Sequence, residues 1–420
     1  MKVATSQRLS LRDNILDNST IISGYSARLA FAENSKELIE KLRQGKCAAK
    51  TNWFATQQAA MRCGIKENKS VARLASNPLS LTEQLCQLIE QALEHAMLDT
   101  HCLSGDNVRV YLTGLGPRVD VIDYKTFYDH NDIEDVTLNK SITHLHVAEI
   151  CQDKLAHEIA KKYRLKFSPP NLQCTSNSSL AAVHLAIQAI ASGDIDLVVV
   201  VNSSQITTQD IAFLAGQSML ESEEAQPFGE ASKSVLFAEG QSGIVLESVR
   251  HRHARGLTGG VRLTSDYAQI TSGRGNDAGQ LSVNLMKVMN KVMEQAGIRY
   301  EQLCAILPHG NGSEGTDKAE AQALATLLAE HALPVLAYKG QIGYNPTGSG
   351  IIDLIIGHYS LCSGELISPT GKSVIRENMV QHVWLNKGTV KHNKHHLLKT
   401  GLGVDGSIIA LVMSMCDMDA

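Results

Sequence analysis

The 420 residues predict an α/β protein, and three observations carry that assignment. Short β-branched runs alternate with segments of helical spacing in both halves of the chain, as layered α/β folds require. Leu197–Val201 is a continuous valine-rich run, the signature of a strand buried on both faces. No low-complexity linker separates the halves, so 1–250 and 251–420 read as two halves of one unit.

In chain order, 19–24 reads as a buried strand, and Leu38, Ile39 and Leu42 place a helix over 33–42, before Gly45. A second amphipathic helix spans 79–98, and a strand over 108–113 ends at Gly114-Leu-Gly116. Leu155, Ile159 and Tyr163 recur every four residues and mark another helix. An apolar helix over 180–191 is opened by Asn and Ser that can cap it and closed by Gly193. Strands are expected at 243–247 and 260–264, then a long helix at 281–296 and a strand at 305–307. Helix 318–329, strand 335–338, helix 350–362 and strand 407–413 complete the set. The polar run Lys391-His-Asn-Lys-His-His396 reads as a solvated loop, because no carboxylate or cysteine is placed to complete a metal site.

Composition narrows the function classes. Hydrophobic residues make up 43% and charged residues 20%, with no tract long enough to span a bilayer. The first fourteen residues lack the apolar core of a signal peptide, and nine irregularly spaced cysteines suggest free thiols, so a cytoplasmic location is expected. A net charge of −4 with dispersed Lys and Arg gives no footprint for nucleic acid.

The motifs are more specific. Ser176-Asn-Ser-Ser-Leu-Ala-Ala-Val-His-Leu-Ala186 resembles the active-site elbow of β-ketoacyl synthases, usually Thr-Ala-Cys-Ser-Ser-Ser-Leu-Val-Ala-Leu. Counting back from Leu180 puts the family's cysteine on Ser176, and Cys174 lies two residues too early. Ile21-Ile-Ser-Gly24 through Lys46, Gln226-Pro-Phe228 and Ala238-Glu-Gly240 match further landmarks in order. Pro308-His-Gly-Asn-Gly-Ser313, followed by Asp317 and Glu320, is similar to His-Gly-Thr-Gly-Thr with its downstream acids. Lys339-Gly-Gln-Ile-Gly-Tyr344 is similar to Lys-Ser-Asn-Ile-Gly-His, and Leu402-Gly-Val-Asp-Gly-Ser407 to Phe-Gly-Phe-Gly-Gly-Thr. The resemblance covers almost the whole chain. It implies the duplicated thiolase-type fold with five layers, αβαβα, normally a homodimer.

It also assigns roles. Ser176 takes the nucleophile's place at a helix N-terminus, where N–H groups stabilise negative charge. Cys174 is expected to be a small buried residue. His309 matches the first catalytic histidine, a donor to a developing enolate oxygen worth ~3–4 kcal/mol, and is expected to outweigh Ser176 in catalysis. Tyr344 replaces the second histidine and is a very poor base near neutral pH. Lys339 and Glu320 match a pair in the polar network behind the site. Asn311 and Ser313 replace threonines that bind the pantetheine arm. Val404, after Gly403, replaces a gatekeeping phenylalanine, and Asp405 puts a carboxylate where the family has glycine. Backbone N–H groups at the Ser176 and Val404 positions correspond to the oxyanion hole.

Without a thiol and with one histidine lost, condensation is not expected. The pattern resembles the Cys-to-Ser ketosynthase-like decarboxylases of polyketide β-branching cassettes, and 420 residues without an appended acyltransferase or carrier domain suit them. That resemblance implies conversion of malonyl- to acetyl-acyl carrier protein, with the substrate on phosphopantetheine and no other cofactor or metal. Hydroxymethylglutaryl-CoA (HMG-CoA)-synthase-like and enoyl-hydratase-like enzymes are the implied pathway neighbours. A chain-length-factor-like, non-catalytic partner of a ketosynthase and a Ser176-dependent acyltransferase remain the alternatives.

Overall fold

Nine strands make one mixed sheet in the computed structural model, which describes residues 18–114, 152–271, 277–329 and 331–416. They are β1 (Thr20–Leu29), β2 (Val108–Gly114), β3 (Asn171–Leu172), β4 (Leu197–Ser204), β5 (Gly240–Ser248), β6 (Gly260–Ile270), β7 (Leu303–Leu307), β8 (His396–Leu402) and β9 (Ser407–Cys416), in the order β3-β2-β4-β5-β1-β6-β9-β8-β7. β1 pairs with β5 along its whole length, from Thr20–Ser248 to Leu29–Gly240. Its pairing with β6 covers Thr20–Ile22 alone, and this short seam divides the sheet into two halves.

Six principal helices pack on these halves: α1 (Leu81–His95), α2 (Gln152–Tyr163), α3 (Ser178–Ala191), α4 (Ala278–Ala296), α5 (Glu314–Leu327) and α6 (Ser349–Ser363). α3 touches β2, β4 and β5 of one half and β6 of the other, while α6 touches β5, β6, β8 and β9. Both are therefore apolar nearly all round, as a central layer requires. They approach closely because position 350 is glycine: a Cβ there would come within 2.4 Å of Leu180. α1 covers β1, β4 and β5 on one outside, and α4 with α5 covers β6 and β9 on the other. The result is the five-layered thiolase-type architecture. Among the described residues no helix is long and apolar enough to cross a membrane.

Local sequence explains the boundaries. Ser80 and Glu83 form a capping box at the start of α1, and Asp277 caps α4, which ends at left-handed Gly297. β4 is buried at every residue, as its valine run predicts. The strand assignments need two amendments. Val335–Tyr338 forms only isolated bridges at Val335, to Ile306 and Val383; Pro334 precedes it and Lys339–Ile342 turns helical directly after. Lys391–His396 is a mostly exposed connection, as expected, but it is tied down: Lys391 ends a short strand paired with Glu365–Ile367, and Lys394 Nζ donates to the Leu303 carbonyl at 2.9 Å. His396 opens β8, a strand the sequence conceals because buried Lys399 and Thr400 interrupt its apolar run. Leu115, Gly116 and the first fourteen residues lie outside the described residues.

Candidate functional site

The elbow before α3 is strained. Thr175 has φ = +41°, a region that crowds any β-branched residue and costs about 1–3 kcal/mol. The strain is held by Ser178, whose Oγ accepts from Cys174 N at 2.9 Å and donates to Thr175 O at 2.8 Å. Thr175–Asn177 forms a single 3₁₀ turn, which leaves Ser176 half-buried ahead of α3. Asn177, expected as a cap, makes no capping bond. Its Nδ2 instead reaches Ser407 O at 3.0 Å and Ser407 Oγ at 2.9 Å.

That contact fastens the elbow to the loop 403–407. Asp405 Oδ1 accepts from Ser407 N and Oγ at 3.1 and 2.7 Å, so its carboxylate braces the loop. Gly403 lies beside Thr175, and Val404 is 45% exposed. Cys174 is half-buried rather than fully buried, with its thiol 3.5 Å from Asp405 Oδ2. Burial first, then the Asp405 carboxylate, pushes this thiol up, the opposite of nucleophile activation. Cys174→Ala is accordingly expected to leave both folding and turnover within twofold of wild type. Loss of turnover by a folded variant in a carrier-arm mass assay contradicts the assignment of Ser176 to the reacting position.

His309 follows the end of β7, on a loop roped down by two acids of α5. Glu320 accepts from His309 N at 2.9 Å, Gly310 N at 2.7 Å and Thr400 Oγ1 at 2.8 Å. Asp317, one turn earlier, accepts from Asn311 N, Gly312 N and Phe228 N at 3.0, 3.1 and 2.7 Å. These bonds satisfy four consecutive buried amides. Lys339 lies behind the same loop, where its Nζ pairs with Asp353 Oδ2 at 3.1 Å. Lys399 Nζ meets the same oxygen at 2.5 Å and donates to Pro308 O at 3.0 Å. Both lysines and Asp353 are buried.

Two cations behind one imidazole set its charge. Burial first, then Lys339 and Lys399, hold His309 well below its ordinary 6.5, so the ring is neutral. Burial alone would raise Asp353, but the two ammonium groups outweigh it and hold the carboxylate below its usual range. Burial draws Lys399 down to about 8.

Tyr344 closes the site from the other side. It follows Gly343, whose φ of +91° and 2.4 Å approach to Ala238 Cβ admit no side chain. Tyr344 packs beside Phe237 and edge-on to His309, with ring centroids 6.3 and 6.0 Å apart. Its hydroxyl donates to Ser176 Oγ at 2.6 Å. Burial pushes that phenol up to about 12, so it is a neutral donor and not a base.

The structure thus brings together Ser176, His309, Tyr344, Asn311 and Ser313, with Glu320 and Lys339 behind them and Gly403–Val404 against the elbow. Asp353 and Lys399 were missed by sequence reasoning. Asp353 is the one carboxylate or cation in α6, and a lone acid in an apolar helix is the signal that could have exposed it. Chemically, the pocket offers neutral hydrogen-bond donors, and among the described residues no base is hydrogen-bonded to the serine.

Comparison with known proteins fits this picture. The family models described as "Beta-ketoacyl synthase, N-terminal domain" and "Beta-ketoacyl synthase, C-terminal domain" match residues 17–252 and 260–370. Erythronolide synthase EryA2 of Saccharopolyspora erythraea is 23% identical over 288 residues, 66% of this chain and 8% of that protein's length. A chain of the AntDE:AntF complex, described as a type II PKS acyl-carrier protein with its ketosynthase bound to the hexaketide, superposes with a TM-score of 0.82 at 17% identity, covering 95% of this chain and 99% of that one. The ishigamide ketosynthase/chain length factor gives 0.80 at 15% identity, covering 95% and 99%. At these identities the structural likeness speaks for the fold.

Proposed function

Because this chain belongs to the β-ketoacyl synthase family, we propose that it decarboxylates a malonyl thioester on an acyl carrier protein to the acetyl thioester, without an acyl-enzyme. The observation that carries the reading is the 2.6 Å bond from Tyr344 to Ser176 Oγ. It occupies one of the two lone pairs of that oxygen and so lowers its nucleophilicity, and among the described residues no basic group is hydrogen-bonded to the serine proton. What remains is a hydroxyl with its own proton free for a substrate oxygen.

Decarboxylation needs that and little more. The bond between the carboxylate carbon and the α-carbon breaks, its electron pair moves toward the thioester oxygen as an enolate, and CO2 departs. The α-carbon then takes a proton from water. Neutral donors fixed in the pocket stabilise the enolate as its charge develops. The pantetheine arm is proposed to enter past Val404 and to meet Asn311 and Ser313. A homodimer is the proposed assembly, and the β-branching enzymes named above are the proposed consumers of the product.

The test is incubation of the purified protein with malonyl-carrier protein and mass analysis of the pantetheine arm. Acetyl product well above the enzyme-free control is expected, with no mass added to the protein. A protein-bound acyl group favours the acyltransferase. A second reading, the chain-length-factor-like partner, is supported by the fact that Ser176 Oγ and His309 Nε2 are both already hydrogen-bonded within the protein. No acetyl product from a folded protein favours it.

A further inference from the structure

The hydrogen bonds of the site run in one direction. Asn311 Oδ1 accepts from both Ser313 N, at 3.0 Å, and Ser313 Oγ, at 2.7 Å. Two donors on one oxygen fix the orientation of the buried amide, because the opposite orientation would set its NH2 against the Ser313 N–H. Nδ2 therefore points the other way, 3.3 Å from His309 Nε2. Tyr344 donates to Ser176 Oγ at 2.6 Å, and its ring stands edge-on to the same imidazole.

We propose that Asn311 is the positioning residue that fixes the imidazole of this site. It holds neutral His309 as the Nδ1–H tautomer, with Nε2 as acceptor. Nε2 then has no proton to give a substrate oxygen, and that donation is left to Ser176 and the backbone amides. The catalytic consequence rests on the decarboxylase reading; the tautomer does not.

The test is nitrogen NMR of protein labelled at histidine, with His309 assigned by its loss in His309→Gln. The expected wild-type spectrum shows a protonated Nδ1 and an unprotonated Nε2 for His309. In Asn311→Asp the side chain can only accept, so protonation is expected to move to Nε2; acetyl formation is read in parallel from the carrier arm. A wild-type His309 protonated at Nε2 overturns the proposal, and that spectrum alone decides should the aspartate variant not fold. An unchanged tautomer in folded Asn311→Asp also overturns it. The expected tautomers without any acetyl product uphold the hydrogen-bond direction and overturn the decarboxylase reading instead.

Discussion

Ser176→Ala is expected to slow acetyl formation from malonyl-carrier protein about 100–1,000-fold, the usual effect of deleting one donor to a developing oxyanion. The sequence ranks His309 above Ser176, by analogy with a histidine that donates to the enolate. The hydrogen bonds favour the opposite order. His309 Nε2 already accepts from Asn311, whereas Ser176 receives Tyr344's proton and keeps its own for the substrate. Tyr344→Phe removes the polarising link but leaves that hydroxyl, so a smaller loss of about tenfold is expected. Neither change removes an ionised group: Tyr344 titrates only near 12 and His309 well below its ordinary range. The rate should therefore stay flat with pH through neutrality in all three proteins. Single-turnover measurement of the carrier arm checks both points. Full activity of Ser176→Ala returns the principal donor role to His309 or the backbone amides.

Asp353→Asn is expected to destabilise the fold by about 3–5 kcal/mol, because it leaves two buried ammonium groups without their shared counter-ion. The loss is read as a lower urea midpoint at neutral pH. Lys399→Met should be far milder, since the Lys339–Asp353 pair survives and an apolar side chain replaces a buried charge. Lys399 also predicts a pH dependence in the wild type. Burial depresses Lys399 from its ordinary 10.5 to about 8, so the folded protein releases that proton before the unfolded chain does. A depressed folded value means stability is lost as pH falls through about 8, and rises from there toward about 10. Lys399→Met should lack that slope. Equal stability of Asp353→Asn and wild type rules out an ionised cluster.

The alternation of strand and helix and the buried, apolar character of α3 were legible in the residues alone. Periodicity and turn chemistry are local properties that need no third dimension. Tertiary structure decided what the long-range polar partners are. Asp353 is the counter-ion of Lys339 and Lys399, because α6 and β8 converge behind His309. Lys399 hid β8 for the same reason: a charge in an apolar run reads as surface until its buried partner is known. Asn177 reads as a helix cap, yet its amide crosses to Ser407. Direction, too, belongs to the folded state. The sequence lists Asn311, Ser313 and His309 as groups that can both donate and accept, and only their mutual placement fixes which way each proton points.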